Sequence, residues 1–246
     1  MTSHDVRWHA SVPSTMDIAA ALATQGAAHG VVVAADQQTA GRGRRGSTWA
    51  SPAGSGLYFS YIARFASPAP SRQPPAPLSL LTLAAGVGVR EGVGNASGLQ
   101  ADLKWPNDLL VGKRKFAGIL AEGIAIGTAE QAVIVGVGVN VQPASYPPDV
   151  AARATSIEGE LGKAVDRDAM LAAILDALSA RLAALDQNAG DILQAWRAAS
   201  PSAVGTRVEW DGHRGVTAGI DDTGALLVKT ASGVERIIAG ELHWML

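Results

Sequence analysis

The sequence predicts an α+β fold. A mixed, mainly antiparallel sheet with helices is expected over residues 1–200, and a small β-barrel over 201–246. Three observations carry this. Apolar runs rich in β-branched residues, bounded by glycine and Asn/Asp turns, alternate with helical patterns through the first 200 positions. Between Asp168 and Asp186, the leucines and isoleucine at 171, 174, 175, 178, 182 and 185 form one stripe at 3.6-residue spacing. From Gly205 the period changes to two, with Asp211-Gly212 and Asp222-Thr223-Gly224 as hairpin turns.

Taken in order, Val6–Ala10 reads as a short strand. Ser14 and Asp17 suit the start of a helix that ends near Gly26, with the Ser14 hydroxyl as its cap. Gly30–Ala35 reads as a buried strand and Leu57–Arg64 as a second one. Residues 66–77 carry five prolines and read as an exposed connection. Leu78–Val93 reads as a buried helix. Ala101–Val111 reads as strand, tight turn, strand, with Pro106-Asn107-Asp108 in the turn. Phe116–Ile124 and Ala132–Val141 are expected to pair antiparallel across 127–131. Glycines 136 and 138 inside the second strand suggest that a backbone or a ligand lies close by. Asp191–Ala198 reads as a helix, and Ser200-Pro201-Ser202 as a boundary.

Composition narrows the function classes. The 246 residues are 48% hydrophobic and 17% charged, enough for a sizeable core. A formal net charge of −2 gives no global basic field for nucleic acid. The absence of cysteine excludes disulfides, thiolate catalysis and cysteine-based zinc sites. The N-terminus lacks the basic and apolar regions of a secretory signal, and the apolar stretches are too short for a membrane span. A cytoplasmic protein is expected.

The stretch Asp36-Gln-Gln-Thr-Ala-Gly-Arg-Gly-Arg-Arg-Gly46 follows the buried strand and places three glycines and three arginines in six residues. Glycine lets the backbone approach a ligand closely, and arginine supplies forked donors for carboxylate or phosphate. Its glycine spacing formally fits a dinucleotide loop. The following Ser-Thr-Trp-Ala-Ser-Pro52 has no helical pattern, however, and no acidic residue stands about twenty positions on. There is no Walker A motif. A second constellation, Lys104-Trp-Pro-Asn-Asp108, precedes Lys115-Phe-Ala-Gly-Ile-Leu120. Lys115 reads either as a solvated turn lysine or as a cation entering a cleft, where it would stabilise an anionic transition state. Trp49 and Trp105 read either as core residues or as platforms for a base.

With Gly136-Val-Gly-Val-Asn140, these four motifs resemble, in order and spacing, the biotin protein ligases (biotin–[acetyl-CoA-carboxylase] ligases). Counting Ser14-Thr15 and the C-terminal β segment, the resemblance spans nearly the whole chain. It implies a catalytic domain like that of the class II aminoacyl-tRNA synthetases over 1–200 and an SH3-like β-barrel over 201–246. It also implies a two-step reaction: biotin and ATP give biotinyl-5′-AMP, and a lysine of a biotin carboxyl carrier protein or domain then takes the acyl group. The carrier would belong to acetyl-CoA carboxylase or a related carboxylase.

By the same resemblance, biotin binding falls to Ser14, Thr15, Gln38, Gly41, Arg42, Gly43, Arg44, Lys115 and Gly118. ATP and the adenylate fall to Arg42, Arg44, Arg45, Trp49, Asn107, Asp108, Lys115 and Asn140. Lys115 and Arg44 are the catalytic pair, and Asp108 is the expected Mg²⁺ contact. Met16 departs from the family's usual asparagine, which removes an amide's hydrogen bonds. The glycine-arginine loop is expected to order when ligand binds. The ligase-like region begins within about ten residues, so a monofunctional enzyme that binds no DNA is expected; monomer and homodimer stay open. A lipoate or octanoate ligase, and a nucleic-acid-binding protein using the arginine loop and the barrel, are the alternatives.

Overall fold

β1 (Val6–Val12) and β2 (Val32–Gln38) lie parallel, joined by the crossover helix α1 (Thr15–Thr24). Every other pairing in this sheet is antiparallel. β3 (Gly56–Ala63) follows β2, and α2 (Leu78–Ser97) leaves the sheet. The chain returns as β4 (Asp102–Lys104), β5 (Asp108–Val111), β6 (Arg114–Ile124) and β7 (Ala132–Asn140). The seven strands run in the order β1-β2-β3-β7-β6-β5-β4. This is a computed structural model, and it describes residues 4–65, 78–128, 131–144, 146, 148–185, 187–238, 240 and 242–245. The proline-rich stretch 66–77 and the tip of the β6–β7 turn at 129–130 lie outside the described residues.

Short helices α3 (Pro148–Ala151) and α4 (Ile157–Leu161) come next, then α5 (Arg167–Ala184) and α6 (Ala189–Ala199). Asp166 caps α5, its carboxylate accepting from the N–H groups of Asp168 and Ala169 at 3.0 Å each. A 3₁₀ turn, Pro201–Ala203, leads into the second sheet. That sheet comprises β8 (Val204–Trp210), β9 (His213–Ile220), β10 (Leu226–Thr230), β11 (Gly233–Ile237) and β12 (His243–Trp244), in the order β11-β10-β9-β8-β12. The expected turn at Asp211-Gly212 has both residues at positive φ, 44° and 80°, as a two-residue hairpin turn requires.

Alternation along β7 shows how strand periodicity builds the site. Val133, Val135, Val137 and Val139 join the large core beneath α2 and α5. Ile134 points to the other face, where Met16, Ala19 and Ala23 of α1 cover it with Val33 and Ile62. The next residues on that face are Gly136, Gly138 and Asn140, and α1 does not reach past Gly136. The uncovered strip is a cleft floor.

On the helical face, α2 and α5 pack unusually closely. A Cβ at Gly88 would stand 2.7 Å from the Leu178 Cα, and one at Gly92 would overlap the Ile174 Cα. These are backbone atoms, so relief requires moving a helix. Gly92→Ala is expected to lower stability by about 1–3 kcal/mol through overpacking, against roughly 1 kcal/mol of helix propensity in its favour. A rise in Tm would show that the helices separate at no cost.

The large core runs on into the C-terminal sheet through Trp210, Ile220, Leu226 and Val228. Among the described residues, no helix is long and apolar enough to cross a membrane.

Candidate active site

A cleft of about 740 Å³ opens over the uncovered strip of β6 and β7. It collects side chains from stretches far apart in sequence: Thr15 from α1, Gln38 from β2, Arg42–Arg45 and Trp49 from the glycine-arginine loop, Asn107 and Asp108 from the turn before β5, Lys115 and Gly118 from β6, and Asn140 from β7. Of the residues assigned from the sequence, only Ser14 and Gly41 do not line it. Ser14 is 1% exposed, and its hydroxyl finds no hydrogen-bond partner. It occupies the N-cap position with extended backbone, yet its side chain caps nothing, contrary to the sequence reading. Gly41 is buried against the Trp49 carbonyl oxygen, which a Cβ there would meet at 2.5 Å.

One end of the cleft is a fixed polar corner. The Gln38 side-chain oxygen accepts from the Thr15 N–H at 2.9 Å and from its hydroxyl at 3.1 Å. The Gln38 amide donates to the Ser51 hydroxyl at 2.9 Å, and the Thr15 hydroxyl also meets Ser60 at 2.8 Å. The floor beside this corner is apolar. The Met16 thioether sulfur lies 2.5 Å from where a Gly136 Cβ would stand. Methionine therefore serves at position 16 as packing over a strand glycine.

The glycine-arginine loop folds as a small hairpin. The Gly43 N–H donates to the Ser47 carbonyl at 2.7 Å, and the Trp49 N–H to the Gly41 carbonyl at 2.9 Å. A 3₁₀ turn, Arg44–Gly46, forms its tip, with Arg45 at φ 54°. Arg42 ties the hairpin to α1 through Asp17 (3.0 Å) and to β6 through Glu122 (3.1 Å). All three side chains are more than a third exposed, so these ties are weak and readily broken.

Trp49 reaches from the hairpin into the cleft. A Cβ at Gly138 would overlap its indole, and one at Gly118 would stand 2.9 Å from it. Gly118 and Gly138 are direct partners across β6 and β7. The strand glycines thus signal a close approach, as the sequence reading expects; the approaching groups in this structure are the chain's own Trp49 and Met16.

The far end of the cleft is strongly cationic. Arg44, Arg45, Lys104, Lys113, Lys115 and Arg153 line it; among the described residues Asp108 is the single lining carboxylate. Lys115 Nζ is 2.5 Å from Asp108 Oδ1 and 5.1 Å from the Trp49 ring centroid. Backbone bonds clamp Lys115 in place: its N–H donates to the Arg153 carbonyl at 2.8 Å, and its carbonyl accepts from Thr155 at 2.9 Å. Burial lowers the pKa of Arg44; nearby Asp108 opposes this, and Arg45 adds to it. Burial likewise lowers that of Lys104, again opposed by Asp108. Burial, aided by Tyr58, raises the lining Tyr146 phenol to about 12. Asn107 and Asn140 are pinned by their amides to the carbonyls of Ile119 (2.7 Å) and Thr155 (3.0 Å).

Sequence reasoning gave no site role to Lys104, Lys113, Arg153, Tyr146 or Met16. Lys104 stood in a recognised motif and was findable. Arg153 and Tyr146 were not, because the stretch around α3 has no periodicity to place it. Trp105, left open between core and base platform, is 2% exposed and belongs to the core.

Such a cleft suits an anionic nucleotide beside a small, largely apolar acid. Residues 8–140 match the family model described as Biotin/lipoate A/B protein ligase family, and residues 214–242 match Biotin protein ligase C terminal domain. The chain is 34% identical over 245 residues to the bifunctional ligase/repressor BirA of Bacillus subtilis, covering 96% of this chain and 73% of that protein. It is 35% identical over 235 residues to the biotin–[acetyl-CoA-carboxylase] ligase of Mycobacterium tuberculosis, covering 92% and 83%. The solved structure of the biotin protein ligase from Aquifex aeolicus in complex with biotin and ATP is similar with a TM-score of 0.79 at 27% identity, over 98% of each chain.

Proposed function

This chain belongs to the biotin/lipoate A/B protein ligase family and is an ATP-dependent biotin protein ligase, and from that premise we propose how its own residues divide the work. One observation carries the assignment: the Thr15–Gln38 corner, the arginine hairpin and Lys115 converge on a single cleft although they lie far apart in sequence.

Biotin enters with its ureido ring at Thr15 and Gln38 and its rings over the Met16–Gly136 floor. Its carboxylate then points toward Lys115. ATP lies at the cationic end, between Asn107, Asp108 and Asn140, with its base near Trp49. A biotin carboxylate oxygen attacks the α-phosphorus, and the bond to pyrophosphate breaks. Both reactants are anions, so the step needs fixed positive charge where they meet. Lys115, held by its backbone clamps, supplies it at the bridging position, and Arg44 supplies it from above. In the second step a neutral lysine amine of the carrier attacks the acyl carbon and AMP departs. The carrier is that of acetyl-CoA carboxylase or a related carboxylase.

The hairpin covers the adenylate and limits water access until the carrier arrives. Breaking the exposed Arg42 pairs is the small cost of opening it. The arginines face this cleft, and no DNA partner is proposed for them.

Mg²⁺ fits the donor set only as an ion carried largely by the nucleotide. Asp108 is the lining carboxylate, and no group of three or more His, Asp or Glu able to hold a metal exists among the described residues. One carboxylate plus substrate phosphates is an ordinary Mg²⁺ environment. Asp108 would hold the ion, which would neutralise phosphate charge.

The test is ATP–pyrophosphate exchange with biotin or lipoate as the acid, followed by labelling of a carrier domain and its target Lys→Arg variant. Exchange with biotin alone, and labelling lost in the variant, are expected. Exchange driven by lipoate and not by biotin would overturn the substrate assignment.

A further inference from the structure

We propose that Trp244, in the C-terminal sheet, is a positioning residue for the reaction: its indole face aims the Lys104 ammonium at the polyphosphate of ATP. The inference rests on the assignment of the cationic end of the cleft to the nucleotide. Lys104 Nζ lies 5.4 Å from the Trp244 ring centroid, within the range of a cation–π contact. Lys104 ends β4, pairs across its turn with Asp108, and lines the same cleft as Lys115.

A lysine there needs a guide. Its four-carbon stem is flexible and its head is a compact point charge. Asp108 attracts it but is already paired with Lys115, while Lys115 and Arg153 act on it as like charges and favour its turning away toward water. The negative face of an indole offers the ammonium a resting place that does not neutralise it, as a carboxylate would. The charge stays available to phosphate.

The C-terminal sheet can supply that face because it is braced to this same turn. Trp105, next to Lys104 and buried, donates its indole N–H to the Gly224 carbonyl between β9 and β10 at 3.0 Å. β12 itself is held on β8 by the pairings Trp244 with Val208 and His243 with Glu209, and the Met245 N–H donates to the Arg207 carbonyl at 3.0 Å. Gly240, just before β12, lines the cleft directly. Trp105 thus fixes the turn to the sheet, and Trp244 fixes the charge that the turn carries.

The test uses the full-length enzyme in biotin-dependent ATP–pyrophosphate exchange. Trp244→Leu keeps apolar bulk and removes the π face; Trp244→Phe keeps a face. Trp244→Leu should raise KM for ATP roughly three- to ten-fold, with kcat and KM for biotin within about two-fold of wild type. Trp244→Phe should recover most of the loss, which a purely structural role would not require. In a Lys104→Met background, Trp244→Leu should have no further effect. An unchanged KM for ATP in Trp244→Leu, or a full added effect on Lys104→Met, overturns the proposal. If Trp244→Leu does not fold, Trp244→Met carries the same expectations. Wild-type enzyme without biotin-dependent exchange would instead refute the assignment of the cleft, which keeps the two failures apart.

Discussion

Lys115→Ala is expected to reduce biotin-dependent ATP–pyrophosphate exchange by about 10²–10³-fold, the loss typical of removing a fixed charge from a developing anion. The fold should survive. Both clamps on this residue are backbone bonds, to Arg153 and Thr155, and neither needs the side chain. The side chain is 32% exposed, and it pairs with Asp108. The substitution does harm twice. It removes the cation between carboxylate and phosphate, and it leaves Asp108 without that partner in a site that must accept two anions. Lys115→Arg separates these effects. It keeps a charge for Asp108 but replaces a compact head with a planar fork, so partial activity is expected. Exchange at the wild-type rate in Lys115→Ala, with an unchanged thermal transition, would remove Lys115 from the mechanism.

How legible this site was depended on whether a residue's role was local. The strands around the cleft announced themselves, because Val31–Ala35 and Val133–Val139 carry β-branched residues between turn signals. Lys115 was readable because the turn before it leads into an apolar strand, which sends the next side chain toward the interior. The glycines at 118 and 138 signalled a close approach, but a sequence does not say whose atoms approach. That Trp49 fills the space depends on a hairpin fold set by Gly43, Ser47 and Gly41 together. Ser14 failed for a related reason. Its composition and position suit a cap, yet tertiary burial turned its hydroxyl away from the helix N–H groups. Arg153 reaches the site because 153–155 runs alongside Lys115 as an added bridge, a long-range pairing with no local signature. β11, Gly-Val-Glu-Arg-Ile, has no strict apolar alternation and β12 is two residues long, so neither was readable. Trp244 therefore drew no reading from the sequence, whereas the fold brings its ring to Lys104.

Arg44→Gly should leave adenylate formation measurable but shorten the time for which the adenylate stays bound. Arg44 is partly buried at the cleft, and burial opposes its charge. Asp108 offsets that opposition, and Asn107 Oδ1 stands 3.5 Å from Arg44 Nη1. The folded protein thus holds a poorly solvated guanidinium ready before any ligand arrives. Such a group gains more from an anionic acyl phosphate than a solvated arginine on an open surface would, since less water must be displaced when they meet. A charge-assisted hydrogen bond of about 1.5–3 kcal/mol corresponds to roughly a 10- to 150-fold faster escape of the intermediate. Glycine at 44 also loosens the hairpin tip beside Gly43, which works in the same direction. Two measurements check this: the half-life of bound biotinyl-5′-AMP in a single turnover without carrier, and labelling of bystander amines. Both should change together, because an adenylate that leaves early acylates whatever amine it meets. A half-life equal to wild type would show that the hairpin retains the intermediate through its backbone and Trp49, with Arg44 contributing only to the first step.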